Sequence, residues 1–258
     1  MFDIRVTVKE NKRVSPDLWV LSYHCPKVAR KILPGQFLQF RLKNSTDPFL
    51  RRPFSVYKIK GDRIEVLYEG VGVGTKLMTQ MKTGDEFWSL GPLGTSFTPV
   101  KKKKVLMVGG GVGAAPLVFM AQRHPFDKML LGFRGKSAVL PKSEAVGSKS
   151  DWIYATNDGS VGHKGFVTHL MEDIIKNEGT GNNHFIYACG PAPMLYEVAR
   201  IAKKYGVEGE LSLEERMGCG VGACLGCVAE THEGFLASCK FGPVFAIKDL
   251  LLEGLKHD

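Results

Sequence analysis

Four cysteines near the C-terminus constrain the fold of this 258-residue chain more than any other feature. Cys219, Cys224 and Cys227 lie within nine residues, and Cys239 follows after eleven more. Glycines at 218, 220, 222 and 226 permit backbone angles that a Cβ forbids, so the chain can wrap tightly there. The residues before Cys239 are typical of a hairpin, with strands at 228–231 and 235–238 around a turn at 232–234. The segment is therefore expected to bring its four thiols together.

The spacing C-x4-C-x2-C…C is that of a plant-type [2Fe–2S] cluster, which four thiolates hold. A glycine-lined loop can also turn successive N–H groups inward and stabilise an anionic core. Zinc sites usually pair two C-x2-C motifs, and this chain has one. Disulfide frameworks are typical of short secreted chains, whereas this chain is longer and shows no signal peptide. The pattern predicts Cys219, Cys224, Cys227 and Cys239 as cluster ligands, and Cys25 as an ordinary thiol.

Composition excludes several other classes of protein. The 44% hydrophobic and 24% charged content is that of a soluble globular chain, and no stretch approaches the roughly 18 apolar residues that span a bilayer. Cysteines that are free or metal-bound, without a targeting signal, predict the cytoplasm. The net charge of +9 does not indicate nucleic-acid binding, because the lysines are dispersed. The exception is the run at 101–104, which we interpret as a solvated linker between domains.

The sequence pattern changes near residues 100 and 214, which predicts three segments, 1–100, 101–213 and 214–258. In the first, short strand-like runs separated by turn residues predict an antiparallel β-barrel. These runs are 4–8, 18–23, 37–42, 54–59 and 64–68. In the second, alternating strands and helices predict a doubly wound parallel α/β sheet. Its strands are expected at 105–108, 129–133, 152–155 and 185–188. One helix is expected to follow the first strand and to end near residue 123, and two more are expected at 166–176 and 193–204.

A glycine-rich turn at 108–116 follows the first strand of the α/β segment. Such a strand-to-helix turn offers a pyrophosphate free N–H groups and the positive end of a helix dipole. Gly109, Gly111 and Gly113 fit the G-x-G-x-x-A pattern, but the acidic residue expected about 20 positions later is absent. Close packing of strand and helix is the alternative reading. Two later strand ends, 155–160 and 188–194, place small polar groups where such sheets bind ligands, which supports nucleotide binding.

The barrel segment contains a second candidate site, Arg52-Pro53-Phe54-Ser55 at a strand start. The order of four motifs resembles that of the ferredoxin–NADP reductase superfamily. These are the segment 52–55, the segment 72–75, the glycine turn and Cys189-Gly190-Pro191. With the cysteine loop added, the whole chain resembles the electron-transfer subunits of bacterial two-subunit (type B) dihydroorotate dehydrogenases. The resemblance implies a β-barrel FAD domain, an α/β doubly wound NAD domain and a C-terminal plant-ferredoxin-like [2Fe–2S] loop segment.

The resemblance also implies roles for individual residues. Arg52, Pro53, Phe54 and Ser55 would contact the flavin and its phosphates, and Leu67, Tyr68 and Glu69 would follow along the flavin-facing strand. Gly74 and Thr75 would cap the pyrophosphate at the start of a helix expected at 75–81. Cys189, with Gly190 and Pro191, would lie near the nicotinamide and flavin rings, and the alternative for Cys189 is a buried strand-end thiol.

The nicotinamide preference can be argued from two further residues. Asp158, at a strand end, would accept hydrogen bonds from a ribose and repel a 2′-phosphate, which favours NADH. Arg134, near the end of the second strand of the α/β segment, would instead attract that phosphate. We expect NADH to be the preferred nucleotide.

The function that the resemblance implies is an NADH-dependent oxidoreductase subunit of pyrimidine biosynthesis. It would pass electrons between NADH and an FMN-containing dihydroorotate dehydrogenase catalytic subunit, through FAD and a [2Fe–2S] cluster, in a heterotetramer. No catalytic acid–base residues are predicted, and neither a nucleic acid nor a membrane is expected as a partner. Two alternatives stay open. One is the small subunit of an NADH-dependent ferredoxin:NADP oxidoreductase or of a hydrogenase-linked reductase, and the other is a zinc-stabilised nucleotide-binding module.

Overall fold

The first of two large sheets is antiparallel and curves into a half-barrel, which agrees with the antiparallel barrel that the sequence predicts. A computed structural model describes residues 1–42, 48–147, 151–178 and 183–256. The sheet contains β1 (Phe2–Arg13), β2 (Leu18–His24), β3 (Phe37–Arg41), β4 (Arg52–Ser55), β5 (Lys58–Lys60), β6 (Arg63–Glu69) and β7 (Glu86–Leu93). Their order is β4-β3-β7-β1-β2-β6-β5. The sheet curves until β4 meets β6, where the ring centroids of Phe54 and Tyr68 are 6.3 Å apart.

Aromatic side chains fill the interior of the barrel. The ring of Tyr23 lies edge-on to those of Phe40 and Phe87, with centroids 5.6 and 5.1 Å away. The Tyr23 hydroxyl forms a hydrogen bond of 3.0 Å with Ser89 Oγ, so the buried polar atom has a partner. Two short helices, α1 (Pro26–Ala29) and α2 (Val73–Thr79), complete this half of the chain.

The second sheet has the doubly wound topology that the sequence predicts. Its parallel strands are β8 (Lys104–Gly110), β9 (Lys128–Phe133), β10 (Trp152–Thr156), β11 (His163–Lys164), β12 (His184–Cys189) and β13 (Glu208–Ser212), in the order β11-β10-β9-β8-β12-β13. Helix α3 (Ala114–Arg123) packs on the face toward the barrel, while α4 (Val167–Glu178) and α5 (Ala192–Tyr205) cover the other face. The winding reverses between β8 and β12, which is where such sheets open a ligand cleft.

The C-terminal segment forms a hairpin and then rejoins the second sheet. Strands β14 (Val228–Thr231) and β15 (Gly234–Ala237) pair antiparallel, as predicted, and the short helix α6 (Ser238–Phe241) follows. Strand β16 (Val244–Ala246) then pairs antiparallel with β13 at the edge of the sheet. None of the helices in the described ranges combines the length and the apolar character needed to cross a membrane.

Several sequence-based boundaries are wrong. The strand expected at 54–59 is two strands, β4 and β5, and β7, β13 and β16 were not predicted. The helix expected at 75–81 is α2, two residues earlier. The lysine run at 101–104 is more than a solvated linker, because Lys103 pairs with Glu208, and Lys104 starts β8 and binds Glu178 at 2.8 Å.

A buried ion pair joins the barrel to the second half of the chain. Lys58 Nζ lies 2.7 Å from Glu144 Oε2, with side chains only 8% and 13% exposed, and Lys12 Nζ lies 3.6 Å from the same carboxylate. Beside it, Gln122 bonds to both the N–H and the carbonyl of Ile59, at 3.0 and 2.7 Å. Burial alone would raise the pKa of Glu144, but the two lysines and Tyr57 stabilise its charge and the net shift is downward.

We predict that Glu144→Gln lowers the free energy of unfolding by about 2 kcal/mol at pH 7, because it leaves the buried Lys58 without a counter-charge. A carboxyl whose pKa is lowered by folding stabilises the folded protein at pH values above its pKa in the unfolded chain, about 4.3. That contribution is lost as the pH falls through the pKa of the folded state. The difference between wild type and variant should therefore shrink below about pH 4 in denaturant titrations. Glu86→Gln, which breaks the exposed pair with Arg5, is the control and should cost under about 0.5 kcal/mol. Equal effects of the two variants would contradict the assignment.

Candidate functional site

A cavity of about 1180 Å³ opens at the carboxyl ends of the parallel strands. Gly110 and Gly111 line it at the end of β8, Arg134 and Asn157 follow β9 and β10, and Pro191 follows β12. The barrel closes the other side. The cavity therefore lies at the reversal of the strand order, which is the usual place for a dinucleotide in such sheets.

The glycine turn serves this cavity in two ways. Gly111, with a φ of +55°, lines the cavity together with Gly110, which was not predicted. Gly109 and Gly113 do not line it but allow close packing. A Cβ on Gly113 would lie 2.4 Å from the carbonyl oxygen of Cys189, and one on Gly109 would lie 2.8 Å from Leu131. Part of the predicted motif therefore holds β12 and α3 together, the alternative that the sequence left open.

A second cavity, of about 330 Å³, lies between the barrel and the second sheet. The residues predicted to face a flavin line it along three elements: Pro53, Phe54 and Ser55 on β4, Leu67, Tyr68 and Glu69 on β6, and Thr75 on α2. Their convergence follows from the curvature of the barrel, which brings β4 against β6. The remaining wall comes from the other half of the chain, including Ala115 of α3.

Two residues that the resemblance assigns to the flavin, Arg52 and Gly74, are not among those that line this cavity. Arg52 and Gly74 touch each other, since a Cβ on Gly74 would fall 2.6 Å from Arg52 Nε. The Thr75 hydroxyl accepts the N–H groups of Val71 and Gly72, both at 3.0 Å, and so fixes the turn before α2. Gly74 therefore leaves room for the arginine, and Thr75 holds the backbone that borders the cavity.

Four residues, Glu69, Val71, Val112 and Glu214, line both cavities. Ligands in the two spaces would therefore meet beside these side chains. Burial raises the pKa of Glu69, although the nearby charge of Arg134 acts in the opposite direction. The boundary between the cavities thus holds a carboxyl whose burial favours the neutral form.

Cys189 is fully buried at the end of β12 and lines neither cavity. Its thiol donates to Glu214 Oε1 at 3.7 Å. Burial, followed by the charge of Glu214, raises its pKa well above the ordinary value, so the thiol is neutral. Its neighbour Gly190 leaves space for Met194, and Pro191 lines the larger cavity. Cys189 therefore adjoins the shared boundary through Glu214.

The two residues that bear on nucleotide preference are placed differently from each other. Arg134 lines the larger cavity, whereas Asp158 lies in the turn after β10 and is not among the lining residues. Asp158 Oδ1 accepts the N–H and the hydroxyl of Ser160, at 2.9 and 2.6 Å, which lowers its pKa. The carboxylate is thus ionised, and Asn157 beside it contacts the cavity.

The cysteine loop directs four successive backbone N–H groups at sulfur. Those of 221, 223 and 224 donate to Cys219 Sγ at 3.3–3.4 Å, and that of Gly222 donates to Cys239 Sγ at 3.1 Å. Gly220 and Gly222 have φ values of +70° and +81°, so glycine permits this path. The bonds, that from Val221 first, lower the pKa of Cys219 to about 6, while burial raises the pKa of Cys239 to about 11.

Side-chain hydrogen bonds join Cys219 to Cys224 and Cys239 to Cys227, and we call these the first and the second thiol pair. The charge of Cys219 also acts on Cys239, so the two pairs are neighbours. The hairpin positions the second pair, because the N–H of Ser238 donates to the carbonyl of Cys227 at 2.7 Å. Over the described ranges, no three His, Cys, Asp or Glu side chains converge as ligands of a single metal ion would. The arrangement is thus of two thiol pairs on one loop.

Phe37 and Met217 connect this loop to the smaller cavity. Both side chains line that cavity, and both pack in one apolar cluster with Cys227 and Cys239. The chain at 212–217 runs along the cavity wall directly into the loop. These two side chains therefore link the smaller cavity to the second thiol pair.

Comparison with known proteins gives the family. Residues 214–251 match the model of the iron–sulfur cluster binding domain of dihydroorotate dehydrogenase B. A dihydroorotate dehydrogenase B (NAD(+)) electron transfer subunit from Desulforamulus reducens is 39% identical over 90% of this chain and 92% of its own length. One from Caldanaerobacter subterraneus is 37% identical over 96% and 98%. The chain belongs to the family of dihydroorotate dehydrogenase B electron transfer subunits. It is accordingly an electron-transfer oxidoreductase subunit with an iron–sulfur cluster-binding domain.

Solved structures agree on the fold. That of an NADH-dependent reduced ferredoxin-NADP oxidoreductase superposes with a TM-score of 0.82 over 97% of this chain and 91% of its own, at 26% identity. Phthalate dioxygenase reductase superposes with a TM-score of 0.65 over 89% and 87%, at 16% identity, and shows the fold alone. The chain thus has the fold of ferredoxin–NADP reductases, as the resemblance implied.

Proposed function

We propose that this chain passes electrons between NADH and an FMN-containing dihydroorotate dehydrogenase catalytic subunit, through FAD and a [2Fe–2S] cluster, in pyrimidine biosynthesis. The working units are a flavin-binding segment at 1–100, a nucleotide-binding segment at 101–213 and a cluster segment at 214–258. We also propose a cytoplasmic location, which is consistent with six cysteines that are not paired in disulfides. When bound, the flavin converts the two-electron chemistry of the nicotinamide into the single electrons that such a cluster carries.

The larger cavity is the proposed nucleotide site, and the smaller one is the proposed flavin site. The glycine turn of β8 offers backbone approach to a pyrophosphate, and Phe54 and Tyr68 offer flat apolar surfaces to a ring system. The shared lining residues support contact between the two ligands. Burial, which favours a neutral Glu69 and a neutral Cys189, suits a site from which water is excluded.

Cys219, Cys224, Cys227 and Cys239 are the proposed cluster ligands. The donor set fits the group, because two thiol pairs suit a centre of two irons that each take two cysteines. The inward N–H groups of 221–224 stabilise negative charge on sulfur, as an anionic core requires. Zinc would require all four thiolates around one ion.

One observation carries the proposal most directly. Phe37 and Met217 line the proposed flavin site and belong to the same apolar cluster as the cysteines of the second thiol pair. An electron donor and an electron acceptor would thus be close neighbours, with apolar side chains between them.

We predict that replacing any one of the four loop cysteines by serine removes most of the iron, from about two atoms per chain to near zero, while FAD stays bound. The residues assigned to the flavin lie on β4, β6 and α2, and none of the loop cysteines is among the residues that line this cavity. Iron analysis and absorption spectra of anaerobically purified protein measure both cofactors. Cys25→Ser is the matched control, since Cys25 is a buried thiol in the barrel core, and it should keep iron and flavin. Full iron content and an unchanged spectrum in Cys239→Ser would show that Cys239 is not the fourth ligand.

We predict that kcat/KM for NADH exceeds that for NADPH by at least about tenfold in the reduction of ferricyanide. The ionised Asp158, in the turn beside the lining residue Asn157, would repel a 2′-phosphate. Arg134 lines the larger cavity and would attract that phosphate, and we expect the repulsion by Asp158 to outweigh this attraction. Asp158→Asn should reduce the preference, whereas Glu172→Gln, which removes a carboxylate paired with Lys204, should leave it unchanged. Equal or better use of NADPH by the wild type rules out this preference.

The surface around the cysteine loop supports a protein partner. Five apolar side chains between residues 221 and 241 are exposed, and we call them the loop face: Val221, Leu225, Val228, Phe235 and Phe241. Phe235 and Leu225 are 70% and 64% exposed. Several exposed apolar side chains in one segment beside a redox site are typical of an interaction surface. Partner binding there would bury at least about 1,000 Å² and shield the cluster from oxygen.

We predict that Phe235→Asp weakens the complex with the dihydroorotate dehydrogenase catalytic subunit at least about tenfold, since an exposed aromatic anchor is lost. Co-expression, size-exclusion chromatography and an NADH-to-orotate assay measure complex and activity, and the wild-type complex is expected to be a heterotetramer. Leu33→Asp, an exposed position outside the loop face, is the control and should bind normally. A wild-type chain that remains a monomer and reduces orotate unaided would overturn the proposed partner. Co-purification with a different flavoprotein would favour the ferredoxin:NADP oxidoreductase alternative, whose fold relative is 26% identical.

A further inference from the structure

The outer face of strand β3 is covered by the cysteine segment. Along this strand, Leu38 and Phe40 point into the barrel core, and the alternate residue Phe37 packs against Cys227 and Cys239. Gln39 lies on the same face as Phe37 because side chains alternate along a strand. Gln39 is fully buried. A position that would be solvent-exposed on an isolated barrel is therefore closed off by the loop.

The amide of Gln39 has no hydrogen-bond partner within the described residues. Neither Nε2 nor Oε1 is bonded, so an N–H is available in either orientation of the amide. Buried side-chain amides are nearly always paired in folded proteins, because an unpaired one is costly. An amide retained in such a place indicates an acceptor that the polypeptide itself does not supply.

The same amide is pressed against the cysteine loop. A Cβ on Gly220 would lie 2.4 Å from Gln39 Nε2 and 2.6 Å from its Cδ, so only glycine fits there. Gly220 directly follows Cys219, whose sulfur already accepts three N–H groups of the loop. Gln39 thus lies beside the cluster site as a candidate donor that belongs to the barrel and not to the loop.

We propose that Gln39 donates a hydrogen bond to a sulfur of the cluster bound by this loop and thereby raises the reduction potential of the cluster. Hydrogen bonds to sulfur stabilise the reduced centre, which carries the additional negative charge. The bond would also fix the loop on β3, beside the Phe37 contact. This inference rests on the proposed [2Fe–2S] function of the four cysteines.

The test is a redox titration of the purified protein, followed by the electron paramagnetic resonance signal of the reduced cluster. Gln39→Leu keeps the approximate shape and removes the amide, and it is expected to retain iron but to show a lower midpoint potential. The flavin potential, measured in the same titration, should not move. Ser22→Ala is the matched control, because Ser22 Oγ is also buried without a partner but lies on β2, in the barrel. It should leave the cluster potential unchanged.

An iron-replete Gln39→Leu with the wild-type potential overturns the proposal, as does an equal shift in Ser22→Ala. If Gln39→Leu loses its iron, Gln39→Met, which is unbranched and of similar length, is titrated instead and is interpreted in the same way. Loss of iron from both variants, with iron retained in Ser22→Ala, supports the bond as a requirement for assembly. A wild-type chain without cluster signal rejects the proposed function itself, so the two failures are distinguishable.

Discussion

The packing of the cysteine segment against strand β3 is the interaction on which the rest of the site depends. Through Phe37 and Met217 it joins the smaller cavity to Cys227 and Cys239, and through Gln39 it closes the loop onto the barrel. The contact is largely apolar, so it excludes water from the space between the two proposed redox sites. Without it, the smaller cavity would lose the part of its wall that residues 214–217 form, and the cysteine loop would have no fixed distance to either cavity.

The environment of ionisable groups differs between the cavities and the cysteine loop. Around the cavities, burial raises the pKa values of Glu69 and Cys189 and favours their neutral forms. In the loop, successive N–H groups converge on sulfur and lower the pKa of Cys219, which favours the anion. Negative charge is therefore stabilised at Cys219 and disfavoured beside the cavities, while burial opposes it at Cys239. The difference arises from backbone direction, which glycines at 220 and 222 permit, rather than from basic side chains.

Sequence reasoning predicted what lies in contiguous motifs and missed what depends on distant contacts. The cysteine spacing and the segment 52–55 could be singled out because each is a short run in the sequence, and the β6 residues were assigned through the family resemblance. Glu214, Met217 and Gln39 carry no local signal, since their surroundings come from strands far away in the chain. The strands β7, β13 and β16 were missed for a related reason, because they are recognisable mainly through their pairing partners. The glycine turn was found but partly misread, since Gly109 and Gly113 serve packing.

The position of β16 explains how an exposed loop can still be held rigidly. After α6 the chain passes between the two sheets, where Thr95 donates its N–H to the carbonyl of Gly242 at 2.6 Å and its hydroxyl to that of Val244 at 3.2 Å. On the other side, the N–H of Leu213, which follows β13, donates to the carbonyl of Pro243, which precedes β16, at 2.9 Å. This bond adjoins the pairing of β13 with β16. The cysteine segment is therefore anchored at both of its ends and to both halves of the chain. Because electron transfer depends steeply on distance, this double anchorage lets the loop face a partner without altering its separation from the smaller cavity.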